Sequence, residues 1–279
     1  MSLRFLEMDL KFGFTLQTLT DRGRINPNDI ELLRASFKTK VTDELLALFL
    51  MSCENDRDRA KCTAEKYFEI RQMAPEIFSN RSVTSEALQN QLRVGAYSIL
   101  TKRTPNNCAV MVLKLQDSDY RKFDVASHFK LICMTLDSVT YFDPPEGLIG
   151  VMDLQGTSFM HLTVVKLALV KTFTRYVQEA LPLKLKAVHL FNGGYVLSAL
   201  FNLFKPFLKK EVKEMMHFYP NAADMNSFYT TWLGKEFLPE EFGGDLPPVA
   251  VHQEDTVEKL KLMQTYFETD ERQTREFFQ

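Results

Sequence analysis

The sequence predicts an α/β protein with a mostly parallel sheet, preceded by a small all-helical unit. Two observations carry this. Residues 108–115 (CAVMVLKL), Leu148–Leu154 and Val188–Phe191 are near-continuous apolar runs of strand length, as in strands buried on both faces. Between them lie segments of helical apolar period, and helices between buried strands imply crossovers and parallel pairing. Residues up to about 85 show helical periods alone.

The first helix start is Asn26-Pro27-Asn28-Asp29, with Asn26 as N-cap, Pro27 in the first turn and Asp29 near the positive end of the dipole. Ile30, Leu33 and Phe37 follow at helical spacing. Thr42-Asp43 opens a second helix through Leu45, Leu46, Leu48 and Phe49. A third places Ala60, Ala64, Tyr67 and Phe68 on one face and ends before Pro75. After the 108–115 strand, Asp124–Tyr141 is a helix with Val125, Phe129, Ile132, Cys133 and Leu136 inward. The Leu148–Leu154 strand leads to one long helix from His161 to Ala180. Met215–Tyr219 is a short final strand, Met225, Phe228, Tyr229 and Trp232 mark a helix stopped by Gly234, and a polar linker precedes a last helix carrying Val257, Leu260 and Phe267.

The stretch Leu181–Lys213 is the most distinctive. Gly193-Gly194 gives a sharp exit from a strand into a helix, Tyr195–Leu208, in which only Ser198, Asn202 and Lys205 interrupt the apolar residues on one narrow stripe. Lys184, Lys186, Lys205, Lys209, Lys210 and Lys213 flank it against Glu211 and Glu214. A core helix with solvated flanks accounts for this pattern, as does an apolar lid with a basic rim meeting an anionic membrane.

Composition narrows the function. The 279 residues suffice for a full core and an enclosed cavity, and the net charge of -2 argues against nucleic acid as a partner. Phenylalanine (23) outnumbers tyrosine (9) and tryptophan (1), favouring apolar surface with few polar handles. Arg4, Glu7, Asp9 and Lys11 break the N-terminal apolar residues, so no signal-peptide core is read, and no run is long enough to span a bilayer. Cys53, Cys62, Cys108 and Cys133 show no metal-site spacing, which fits reduced thiols and a cytoplasmic location. No dinucleotide, phosphate-loop, hydrolase-elbow or zincin motif occurs. The best catalytic constellation is Asp153, Ser158 and His161, with His189 nearby; as short-range Ser and Asp residues usually form caps and turns, no catalytic residue is assigned.

The runs IGVMDLQGTSFMHL, PLKLKAVHLFN, FKPFLKKEVKE and FLPEEFGGDLPP, in that order, resemble the CRAL-TRIO lipid-binding family, most closely its tocopherol-transfer and retinaldehyde-binding branch. DELLALFLMSCENDRDRAKCTAEKYFEIRQMAPEIF resembles the small helical domain that precedes the lipid domain there. The resemblance runs from about residue 25 to 250. It implies an N-terminal helical domain over 1–85, a lipid-binding domain over 86–250 and a helical extension over 251–279.

By resemblance, the sheet floors a cage closed by a mobile helical gate near Tyr195–Leu208, holding one tocopherol-, retinoid- or carotenoid-like molecule and no other cofactor. Position for position, its lining is expected from Phe129, Cys133, Leu136, Met152, Phe159, Val165, Phe173, Val177, Leu181, Leu183 and Val188, with Leu197, Phe201, Phe204 and Leu208 from the gate. Lys184 and Lys186 fall on basic positions that bind a phosphoinositide headgroup in relatives. Glu211 and Met215 fall on two others, with Lys209, Lys210 and Lys213 as neighbouring substitutes. Gln155 stands where relatives often carry an acid. The resemblance thus implies a non-enzymatic, cytoplasmic carrier that associates peripherally with anionic membrane. The alternatives are a phospholipid sensor or exchanger, and a scaffold with a filled cage.

Overall fold

Local capping chemistry sets the early helices. Among the residues described by the computed structural model, 10–219 and 225–279, the first helices are Leu16–Asp21 (α1), Pro27–Ala35 (α2), Asp43–Ser52 (α3), Arg57–Met73 (α4), Pro75–Phe78 (α5) and Glu86–Val94 (α6). The Asn26 side chain accepts from the Asn28 N–H with Pro27 just inside α2, and Asp56 caps α4 through the Arg59 N–H. Ala60, Ala64, Tyr67 and Phe68 are all buried on α4, the stripe that their spacing predicts. The N-terminal positions Arg4, Glu7 and Asp9 lie outside the described residues.

The sheet then begins with a strand that its short, mixed sequence does not announce, Gly95–Ile99 (β1). Cys108–Leu115 (β2) pairs with it antiparallel; Gly147–Asp153 (β3), Leu185–Phe191 (β4) and Met216–Tyr219 (β5) follow in parallel. Spatial order equals chain order, β1 to β5, among the described residues. Helix Val125–Phe142 (α7), capped by Asp124 onto the Ser127 N–H, connects β2 to β3. Between β3 and β4 the one long helix expected from His161 is two, Phe159–Thr163 (α8) and Leu167–Glu179 (α9). Lys166 is in an extended conformation and caps α9, which ends the first helix early and directs Val165 inward. Between β4 and β5 stand Gly194–Phe204 (α10), a 3-10 turn over Lys205–Phe207 where Pro206 cannot continue the helix, and Lys210–Glu214 (α11). Met225–Thr231 (α12), Val249–Leu262 (α13) and Gln264–Glu276 (α14) complete the chain, so the segment read as a polar linker is helical from Val249, whose side chain packs with the β1 and β2 residues Ala96 and Val110.

Two apolar cores flank the sheet. One packs Val110, Val112, Ile149, Val151 and Phe191 against Phe228, Leu238 and Phe242. The other runs from Leu10 through the early helices, α7 and α9, to Phe277, with Phe68 and Phe277 stacked at 3.9 Å between ring centroids. No helix among the described residues is long and apolar enough to cross a membrane.

A fully buried ionic cluster joins distant parts of the chain within this second core. Arg71 of α4 contacts Asp137 of α7 at 2.6 Å and Asp270 of α14 at 2.7 Å. Arg81 contacts the same two carboxylates at 2.9 and 2.5 Å. Tyr67 donates to Asp270, and Arg71 donates to the Tyr176 hydroxyl of α9. Burial alone would raise the Asp270 pKa; the two guanidinium groups beside it bring it below the ordinary value. Removing one member leaves an uncompensated buried charge, so Asp270→Asn is expected to cost on the order of 3–5 kcal/mol, read from the urea unfolding midpoint. A loss under about 1 kcal/mol would show that this cluster does not hold the elements together.

Candidate functional site

The face of the sheet opposite Val110 and Val151 floors a cavity of about 290 Å³. Strand alternation sends Met111 and Leu113 of β2, Leu148, Gly150 and Met152 of β3, and Val188 and Leu190 of β4 into it. Gly150, on a central strand, keeps the floor low: a β-carbon there would meet the Val188 methyl groups at 3.8 Å and the Ala187 carbonyl oxygen at 3.9 Å, which is ordinary contact. One wall is the α7 stripe Val125, Phe129, Ile132 and Leu136, at successive spacings of four and three residues that keep one helix face to the cavity. Phe173 and Val177 of α9 form the next wall, with Phe173 stacked on Phe129 at 4.4 Å. Leu200, Phe201 and Phe204 of α10, then Leu208 and Val212, close the top.

Of the residues expected to line a cage, Phe129, Leu136, Met152, Val165, Phe173, Val177, Leu181, Val188, Phe201, Phe204 and Leu208 are brought together around this cavity. Four are placed elsewhere. Cys133 lies one residue beyond Ile132, off the lining stripe; it is fully buried near Asp137 and Arg71, and burial pushes its thiol pKa up. Phe159 points outward from α8 and is 56% exposed. Leu183 is buried in the helical core outside the cavity wall. Leu197 packs beneath the strand exit, where a β-carbon on Gly193 would lie 2.7 Å from its own.

Of the polar groups in the wall, Asp153 and His161 belong to the constellation singled out in the sequence, whereas Lys114 and His128 escaped sequence reading. Lys114 and Asp153, partners in the β2–β3 register, lie 3.5 Å apart, and Asn192 donates to Asp153 at 2.9 Å. His128 of α7 and His161 of α8 both belong to the wall and both pack on Phe123. Burial lowers the His128 pKa to about 4, and its Nδ1 is 2.6 Å from the Tyr97 hydroxyl. Gly150 carried a legible signal, since glycine inside a strand marks a close approach of another group. His128 carried none, because a lone imidazole in an apolar helix is ordinary core.

The Ser158, His161 and Asp153 constellation is not assembled. Ser158 and His161 form a reciprocal cap on α8, with His161 Nδ1 accepting from the Ser158 N–H at 3.1 Å. The Asp153 carboxylate is bound by Lys114, Asn192 and the Gln155 N–H. His189 faces the other side of the sheet, on Tyr219 and stacked against His217. The Gln155 side chain is exposed.

Most of the lysines are partnered. Lys184 is ion-paired to Glu54 at the end of α3, Lys209 to Glu179 at 2.9 Å, and Lys210 to Glu214 at 3.8 Å. Lys186 runs its stem over Gly147, whose β-carbon would meet it at 2.6 Å. Neither Lys186 nor Lys213 has an ion pair among the described residues.

Comparison with known proteins places this geometry. Alpha-tocopherol transfer protein-like of Homo sapiens is 26% identical over 237 residues, covering 82% of this chain and 68% of that protein. The corresponding protein of Mus musculus is 26% identical over 208 residues, covering 74% of this chain, and clavesin-1 of Rattus norvegicus is 26% identical over 212 residues, covering 75%. The matched stretch spans 59% of the length of each of those two relatives. The crystal structure of Sfh5 superposes with a TM-score of 0.51 at 16% identity, covering 86% of this chain and 93% of that one, which shows a shared fold. The CRAL/TRIO domain model matches residues 94–244, from the end of α6 to the turn before α13, and the chain belongs to the CRAL-TRIO lipid-binding family.

Proposed function

We propose that this protein is a non-enzymatic carrier that holds one hydrophobic small molecule, of tocopherol, retinoid or carotenoid type, and delivers it to membranes. The observation that carries the reading is the cavity, floored by one sheet face and roofed by α10, whose wall is almost entirely hydrocarbon. A ligand there gains roughly 25 cal/mol for each Å² of apolar surface removed from water, so the resting state retains it and release needs a displaced roof. Phe159 and Met160 on α8 and Tyr195 on α10 are exposed apolar side chains on neighbouring helices, and membrane contact there acts beside the roof.

Anionic lipid favours the displaced state if it binds the lysines better when α10 moves. The pairing of Lys184 with Glu54 gives this a physical form, because a headgroup competes with that carboxylate for the same ammonium. Lys186, without such a partner among the described residues, supplies the first attraction, at about 1 kcal/mol per lysine near an anionic surface. These interactions suit peripheral, reversible attachment from the cytoplasm.

Three experiments test the reading. Protein purified without detergent and exposed to tocopherols, retinoids, carotenoids and phospholipids is expected to yield one apolar isoprenoid, near one per chain, on organic extraction and mass spectrometry. A phospholipid at that stoichiometry supports an exchanger instead, and recovery of nothing from folded protein a scaffold. Gly150→Leu fills the floor with a side chain whose β-carbon meets its neighbours only at ordinary contact distance, so bound ligand should fall at least tenfold while the thermal midpoint holds. Lys184→Ala combined with Lys186→Ala is expected to slow transfer to anionic vesicles severalfold with ligand affinity unchanged; parallel loss of both would place the lysines in ligand retention.

A further inference from the structure

The roof of the cavity is held by contacts of two kinds. Leu203, Phe204 and Phe207 pack half-buried against the core, and burial of this kind is non-directional, so it favours a covered cavity without fixing where the cover sits. Directional contacts are few. Among the described residues, every hydrogen bond and ion pair that the stretch 193–214 makes outside the β4–β5 connection goes to the last turn of α9.

Gln178 makes two of them with one side-chain amide. Its Nε2 donates to the Phe207 carbonyl at 3.0 Å, and its Oε1 accepts from the Lys209 N–H at 2.6 Å. The backbone explains the fit. Pro206 ends α10, and Leu208 is extended, at φ -88° and ψ 129°. In an extended chain a carbonyl and the N–H two residues further on point to the same side. Phe207 and Lys209 flank Leu208, so the amide meets both groups as the peptide unit of a neighbouring strand would. A further bond from Nε2 to the Thr174 carbonyl of α9, at 2.9 Å, holds the amide in that orientation. Gln178 and Leu208 both belong to the cavity wall. The Lys209 ammonium also reaches Glu179, at 2.9 Å, but Lys209 is half-exposed and salt screens that pair.

We propose that Gln178 is a positioning residue for the roof: its amide latches the end of α10 to α9, and the opening of this latch sets how fast ligand enters and leaves. The assignment rests on the carrier reading. A latch that forms alike over an empty and a filled cavity acts equally on entry and exit, so its loss raises both rates and leaves affinity where it was. A side chain that only filled the wall would change affinity instead.

The test uses the full chain and two variants. Gln178→Met keeps an unbranched stem in the wall and withdraws both donor and acceptor. Gln178→Glu keeps an acceptor for the Lys209 N–H and withdraws the donor to Phe207. Amide hydrogen exchange of residues 195–209 is expected to quicken about tenfold in Gln178→Met and about threefold in Gln178→Glu, with β2, β3 and α7 unchanged. All-trans-retinol, followed by its fluorescence against neutral phosphatidylcholine vesicles, should enter and leave Gln178→Met about tenfold faster with its Kd within about twofold of wild type, at low and high salt alike. Unchanged exchange in the roof, or faster release matched by an equal loss of affinity, overturns the latch. If Gln178→Met lacks a cooperative thermal transition, Gln178→Glu decides by the same readouts. Wild type that takes up neither retinol nor α-tocopherol overturns the carrier reading, and hydrogen exchange, which needs no ligand, then decides the latch by itself.

Discussion

Arg71 and Arg81 share Asp137 and Asp270 in a site closed to water, and the position of α7 depends on that sharing. Burying four charges is expensive, at several kcal/mol per ion, and is offset only where geometry is close and the sum is neutral. Both conditions hold: two cations face two anions, each carboxylate meets both guanidinium groups, and Tyr67 and Tyr176 add hydroxyls. The participants come from α4, the segment after α5, α7, α9 and α14. Apolar packing alone tolerates sliding of one helix on another; a shared set of charges does not. Asp137 therefore anchors one side of α7 while Phe129, Ile132 and Leu136, on another face, shape the cavity.

This division of α7 also explains what was legible in the sequence. Buried strands are continuous in their apolar pattern, so 108–115 was readable to the residue, and caps such as Asn26 and Asp124 state their helix starts outright. Period alone cannot distinguish an inward residue that meets a cavity from one that meets another helix. Ile132 and Cys133 are neighbours, both buried and both apolar, yet the first lines the cavity and the second faces the ionic cluster. Likewise Phe159, expected in the lining by resemblance, is outside, because α8 is too short to bury both faces. The break at Lys166 carried no glycine or proline to mark it. The partners of Asp270 lie some two hundred residues away in sequence, beyond any local pattern.

The polar end of the cavity follows from the topology. Parallel strands joined by helical crossovers bring all their C-terminal ends to one side, and the loops there carry Gln155 to Ser158 into α8. In open sheets of this kind ligands are bound beyond the carboxyl ends of the strands, the side on which these loops lie. A cavity on such a sheet is therefore asymmetric from the outset, before any side chain is chosen for a ligand.

The roof of the cavity is a crossover connection, entered from β4 and left into β5, and those strands are paired with each other through Val188 to Phe191 and Met216 to Tyr219. At the entry, Asn192 takes a positive φ of 56° while its side chain holds Asp153. A segment moored at both ends to the same sheet has two abutments. Any displacement of it is bounded by its own length. The same pair of strands thus carries the roof and part of the floor, so the shape of the cavity top is tied to the sheet beneath it.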